Sequence, residues 1–80
     1  MNFHKIEKVT PLPEFCLDVH FLSGEQKKYH VKNLDLEPFQ KLCQSAELFS
    51  KVKVDVGGYG ISWNDEIDLS CDELYKNGKV

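Results

Sequence analysis

Apolar and polar residues alternate with period two in two stretches of this chain. Phe15, Leu17, Val19 and Phe21 face one way and Cys16, Asp18, His20 and Leu22 the other. Further on, Val52, Val54 and Val56 alternate with Lys53 and Asp55, and Tyr59, Ile61 and Trp63 alternate with Gly60 and Ser62. Successive side chains of a strand point to opposite faces, so both stretches predict strands with one buried face. Gly57-Gly58 marks the turn of the second, because a type I′ turn needs φ > 0 at both central residues, which costs a residue with a Cβ about 1–2 kcal/mol. A two-residue loop there pairs Val56 with Tyr59, Val54 with Ile61 and Val52 with Trp63, placing all six apolar side chains on one face. Replacing Gly57 or Gly58 with Val should loosen this hairpin first.

The first hairpin takes its register from its loop. A two-residue Ser23-Gly24 loop would set Tyr29 opposite Asp18, on the wrong face. A three-residue loop, Leu22 to Gly24, with Gly24 in the left-handed position of a G1 bulge, pairs Leu17 with Tyr29 and Phe15 with Val31. Residues 3–10 read as a first strand, with Phe3, Ile6 and Val9 apolar but not strictly alternating. Pro11-Leu12-Pro13 is expected to end it, since proline cannot donate to a ladder.

From Asp35 the period changes. Leu36, Phe39, Leu42, Cys43 and Ala46 lie at steps of three and four, the stripe of an amphipathic helix over about 36–47, with Asp35 placed to cap it and Pro38 tolerable in the first turn. Asn64 to Glu66 read as a turn and Ile67 to Leu69 as a short strand. Ser70 and Glu73 have the spacing of a capping box before a short helical turn over about 71–76, with Gly78 at its C-cap. The expected architecture is therefore α+β: two antiparallel β-hairpins plus a first strand, one amphipathic helix and a C-terminal helical turn, in a single small domain over 1–80.

Composition narrows the function classes. The chain has 80 residues, 41% hydrophobic and 29% charged, which is ordinary globular composition. So short a chain buries only about 60% of its unfolded surface, and a homodimer or protein partner is one way to supply the rest. Net charge is −3, and the ten basic residues are all lysines scattered along the chain, which argues against a nucleic-acid module. Cys16, Cys43 and Cys71 lack metal-ligand or disulfide spacing and read as reduced thiols of a cytoplasmic protein, two of them buried. No apolar run has the length of a signal peptide core or a membrane span.

Asp65, Glu66, Asp68, Asp72 and Glu73 crowd nine positions, but neither metal-loop spacing nor a general-acid pair is visible. Turn and capping chemistry account for most of them. Asp68, between Ile67 and Leu69, stands apart and could hold a neighbouring backbone N–H. His20 and His30 fall opposite Gln26 and Cys16 and cannot share a ligand. No Ser or Cys has a visible base with an orienting acid, and no glycine-rich loop opens a helix. No cofactor, metal site or enzymatic activity is therefore expected. Trp63 and Tyr59 have the residue types of interface anchors, yet their alternation with Ile61 favours the core.

The strand succession, the F-C-L-D-V-H-F-L-S-G-E hairpin, F-S-K-V-K-V-D, G-G-Y-G-I-S-W and D-L-S-C-D-E-L-Y together resemble the bacterial family named domain of unknown function 2442, over roughly Ile6 to Gly78. Gly24, Phe49, Ile61-x-Trp63, Asp68-Leu69 and Leu74-Tyr75 are its most specific marks here. The family pattern usually has a proline and a glycine near the turn after the Trp, where this chain has Asn64 to Glu66. The resemblance implies a short α+β domain, similar to the smaller partner in toxin–antitoxin-like gene pairs whose usual neighbour belongs to the domain of unknown function 4160 family. It brings no activity and no catalytic residues. The leading expectation is thus a protein-interaction domain using a sheet edge or the apolar rim around Tyr59 and Tyr75, with Trp63 and Asp68 as further interaction candidates. The alternative is an accessory regulatory or nucleic-acid-associated domain without catalytic activity.

Overall fold

In a computed structural model that describes residues 4–34 and 36–80, the chain runs β1 (Ile6–Leu12), β2 (Cys16–Phe21), β3 (Gln26–His30), α1 (Glu37–Leu42), α2 (Ala46–Phe49), β4 (Lys53–Val54), β5 (Gly60–Ser62), β6 (Asp68–Ser70) and α3 (Cys71–Asn77). The strands form two antiparallel sheets, ordered β1-β2-β3 and β4-β5-β6. This is the α+β class that the periodicity predicts, with β6 extending the second hairpin into a sheet of its own.

In the first sheet Leu17, Val19 and Phe21 are buried, as the alternation requires. Leu17 stands opposite Tyr29, and Cys16 opposite His30. Phe21 N–H donates to the Glu25 carbonyl across a loop in which Gly24 has φ +96°, so the three-residue loop and its register are as expected. The Phe15–Val31 pair does not join the ladder, because the chain coils into short 3-10 turns at Pro13–Phe15 and Val31–Asn33. Val31 is still fully buried.

The first strand differs from expectation at its end. It continues through Pro11 to Leu12, opposite Leu17 and Cys16, because β1 is an outer strand and an outer strand can present a missing N–H to the open side. The irregular spacing of Ile6 and Val9 has a cause as well. The register shifts between Ile6 and Lys8, so Ile6 meets Phe21 while Val9 meets Val19, and a bulge at Glu7 lets two apolar residues three apart both face inward. Phe3 and Asp35 lie outside the described residues, and the start of the strand and the helix cap expected there fall with them.

The single helix expected over 36–47 is two. α1 stops at Leu42, and Ser45 starts α2 by accepting a hydrogen bond from the Leu48 N–H (3.2 Å). A serine inside a helix competes for backbone groups in this way and readily becomes a cap. Leu36, at the N-cap of α1, and Ala46, at the start of α2, are exposed, while Phe39 and Leu42 are buried. It also lets Phe49 turn into the core, where its ring meets Phe15 edge-on at 5.3 Å and lies 6.1 Å from Trp63.

The β4–β5 register is as expected, with Val54 opposite Ile61, but the tip is not a two-residue turn on a flat ladder. Asp55 N–H donates to the Gly60 carbonyl, and Val56–Gly58 coil, with φ +84° at Gly57 and +77° at Gly58. The coil tucks Gly58 against the backbone of Ile6: a Cβ there would lie 2.7 Å from the Ile6 carbonyl oxygen. The six apolar side chains therefore do not share a face. Ile61 and Trp63 are buried, Val52 and Val54 half-buried, Val56 is 99% exposed and Tyr59 48% exposed.

After Trp63, Asn64 makes the turn by itself, its side-chain oxygen accepting from the N–H groups of Glu66 and Ile67 at 2.9 Å each. That is how the chain dispenses with a proline and a glycine there. Ser70 caps α3 by accepting from the Glu73 N–H (3.1 Å). Only half of the capping box forms, because the Glu73 carboxylate is engaged elsewhere. Gly78 does sit at the C-cap, in extended rather than left-handed backbone (φ −71°).

Candidate functional site

The four interaction candidates separate once the chain is folded. Trp63 is 5% exposed; its indole N–H donates to the Phe49 carbonyl (3.0 Å), and its ring meets Phe39 edge-on. Asp68 is exposed at the start of β6, opposite Ser62, and has no side-chain hydrogen bond among the described residues, so the backbone tie expected of it is not seen. Tyr75 is half-buried on α3, stacked on His4, edge-on to Phe21 and covered by the Lys27 ammonium 3.7 Å from its ring. Its hydroxyl donates to Glu25 (3.0 Å), a bond that, ahead of burial, raises its pKa. These contacts tie α3 to the first hairpin.

Tyr59 is the candidate that faces outward. It follows the double-glycine coil, with the Lys5 ammonium 5.2 Å from its ring centroid. Lys5 also accepts, through its carbonyl, the backbone N–H of Leu22 (2.9 Å). Leu22 (59% exposed) and Tyr59 thus both meet Lys5, and the coil that carries Val56 comes beside it at Gly58, where an added Cβ would lie 3.4 Å from the Lys5 Cβ.

A concavity of about 240 Å³ opens between β3 and α3, lined by Tyr29, His30, Leu34, Glu73, Asn77 and Lys79. Glu73 is fixed at its rim, accepting from the Tyr29 hydroxyl at 2.7 Å and the Asn77 amide at 2.8 Å. Burial, and then this bond to a carboxylate, push the Tyr29 hydroxyl far above the usual tyrosine range, so it stays a donor. Sequence reasoning did not foresee the pair, since 44 residues separate its members. Tyr29→Phe removes one hydrogen bond from a half-buried carboxylate that keeps Asn77, and should cost about 1 kcal/mol in a urea melt. The outer side of β3 is partly closed by backbone bonds between Lys28 and Lys79.

Asp65, Glu66, Asp68 and Asp72 are all exposed, and among the described residues no three His, Cys, Asp or Glu side chains converge as metal ligands would. Only Cys71 is buried; Cys16 and Cys43 are half-buried, which corrects the expectation of two buried thiols. Cys16 Sγ lies 3.0 Å from His30 Nδ1, so one thiol does have a base beside it. The register had already set the two residues opposite each other. That their side chains meet on the outer face was its unread consequence. No helix among the described residues is long and apolar enough to cross a membrane.

Two short sheets braced by a C-terminal helix define a small α+β domain. Residues 6–80 match the family described as Protein of unknown function (DUF2442), and the chain belongs to that family. No curated protein and no solved structure matches it.

Proposed function

We propose that the chain is a cytoplasmic protein-interaction domain whose partner docks on the apolar tip formed by Leu22, Val56 and Tyr59 around Lys5. The observation that carries this reading is the exposure of those three side chains on segments that meet at Lys5, in a chain whose other large apolar residues are mostly buried. The resemblance to toxin–antitoxin-like pairs points to a partner of the domain of unknown function 4160 family, with this chain as the antitoxin-like member. Net charge of −3 and the exposed acids Asp65, Glu66, Asp68 and Asp72 suit a basic partner drawn in by electrostatic steering. Three free thiols suit a reducing compartment.

The test is the solution mass of the chain, alone and mixed with the product of its neighbouring gene. A monomer that shifts to a stable heterocomplex supports the reading; no association at micromolar concentration, or a homodimer unchanged on mixing, overturns it. Within such a complex, Tyr59→Ala with Val56→Asp should weaken binding by about 30-fold or more, the loss expected of an anchor worth about 2 kcal/mol. The melting curve of the free chain should move little, because surface substitutions usually stay within about 0.5 kcal/mol.

A further inference from the structure

Cys16 stands directly after a strained turn. Glu14 and Phe15 both hold positive φ, 63° and 58°. Each costs about 1–2 kcal/mol in that conformation, and the edge-on contact of Phe15 with Phe49 helps hold them there. The turn delivers Cys16 to the first position of β2, on the face away from Leu17, directly opposite His30 at the last position of β3. Sγ and Nδ1 meet at 3.0 Å, and Sγ is 3.7 Å from the Glu14 carbonyl oxygen. Both residues are half-buried, so the pair lies at the surface while its geometry is set by the ladder.

The other two thiols are placed differently. Cys71 is buried at the start of α3. Cys43 follows α1, and burial pushes its thiol up, with Lys32 opposing. Of the three, Cys16 alone has a side-chain base within hydrogen-bond reach among the described residues.

We propose that Cys16 and His30 form a reactive thiol–imidazole pair, a modification site that exchanges with low-molecular-weight disulfides. His30, as the tautomer protonated on Nε2, accepts the Cys16 proton on Nδ1. Sγ then attacks one sulfur of RS–SR; the Sγ–S bond forms as the S–S bond breaks, and RS⁻ leaves and takes the proton held by His30. Cys16 sulfur is oxidised and the departing sulfur reduced, so the disulfide is the only oxidant required. Attack by a free thiol RSH reverses the step and restores Cys16.

The experiment treats the folded chain at neutral pH with the aromatic disulfide dithiobis(nitrobenzoate), follows thiolate release, and locates the label by peptide mass. Cys16 should be labelled first, about tenfold or more faster than Cys43 and than an unstructured cysteine peptide, with Cys71 silent until denaturant is added. Cys16→Ser should remove the fast phase. His30→Ala should slow Cys16 about tenfold or more, within the range a positioned base contributes, and imidazole in the buffer should restore part of that rate. The silence of Cys71 reports that each variant is folded, and His30→Asn serves as a second variant should alanine disturb the ladder. Reaction of Cys16 no faster than Cys43, an unchanged rate in both His30 variants, or a slowed variant that imidazole does not restore would each overturn the proposal.

Discussion

Trp63→Ala should lower the urea midpoint of the chain more than Gly58→Ala or Tyr29→Phe. The ring is enclosed by Phe39 and Phe49, and truncating a buried tryptophan costs about 3–5 kcal/mol through lost transfer energy and the cavity left behind. A domain of this length has a total stability of about 4–12 kcal/mol, so the loss takes a large share of it. A further contribution comes from the Phe49 carbonyl, which loses the indole N–H as its donor. Urea unfolding followed by circular dichroism checks this, since the variant lacks the tryptophan fluorophore. Trp63→Phe separates the contributions: it keeps most of the ring and removes the hydrogen bond, and should fall between wild type and alanine. An alanine variant with the wild-type midpoint would place Trp63 outside the core.

Gly58→Ala is expected to be the next most damaging change, and more so than either neighbouring comparison. Left-handed backbone at φ +77° costs alanine about 1–2 kcal/mol. The added Cβ also falls 2.7 Å from the Ile6 carbonyl oxygen and 3.1 Å from the Ile6 nitrogen, both backbone atoms of a strand paired in the first sheet, and overpacking of this kind adds about 1–3 kcal/mol. At Gly57 the Cβ instead meets the Tyr59 ring at 2.8 Å, a half-exposed side chain that can swing aside. At Gly24 it meets nothing within 4 Å, and only the strain of φ +96° remains. Thermal or urea melts should therefore rank the three alanine variants with Gly58 the least stable and Gly24 and Gly57 closer to wild type. Equal effects at Gly57 and Gly58 would mean that the tip does not rest on β1.

The legible parts of the fold were those with a local rule behind them. The β2–β3 register followed from requiring Leu17 and Tyr29 on one face, which only a three-residue loop with a left-handed Gly24 allows, and the β4–β5 register followed in the same way from Val54 and Ile61. Ser70 could be read as a cap because it supplies the oxygen at the spacing the backbone needs. Of the interaction candidates, Trp63 was readable as core from its alternation. Tyr59 was not readable as exposed, because β5 begins only one residue after it and Tyr59 closes a coil that the same alternation continues through on paper.

The sequence by itself determined the class of this protein, the β2–β3 and β4–β5 registers and the loop at Gly24, since side-chain period and glycine placement act between residues a few positions apart. The tertiary structure decided the break at Ser45, the passage of β1 through Pro11, the outward turn of Val56 and Tyr59, the capture of Glu73 by Tyr29 and the meeting of Cys16 with His30. In each of these a local preference was left open by the chain and settled by where the segment lies in the fold. Phe49 gained the core, an outer edge excused a missing N–H, the Ile6 backbone took the glycine, and a neighbouring strand or helix brought up the partner atom.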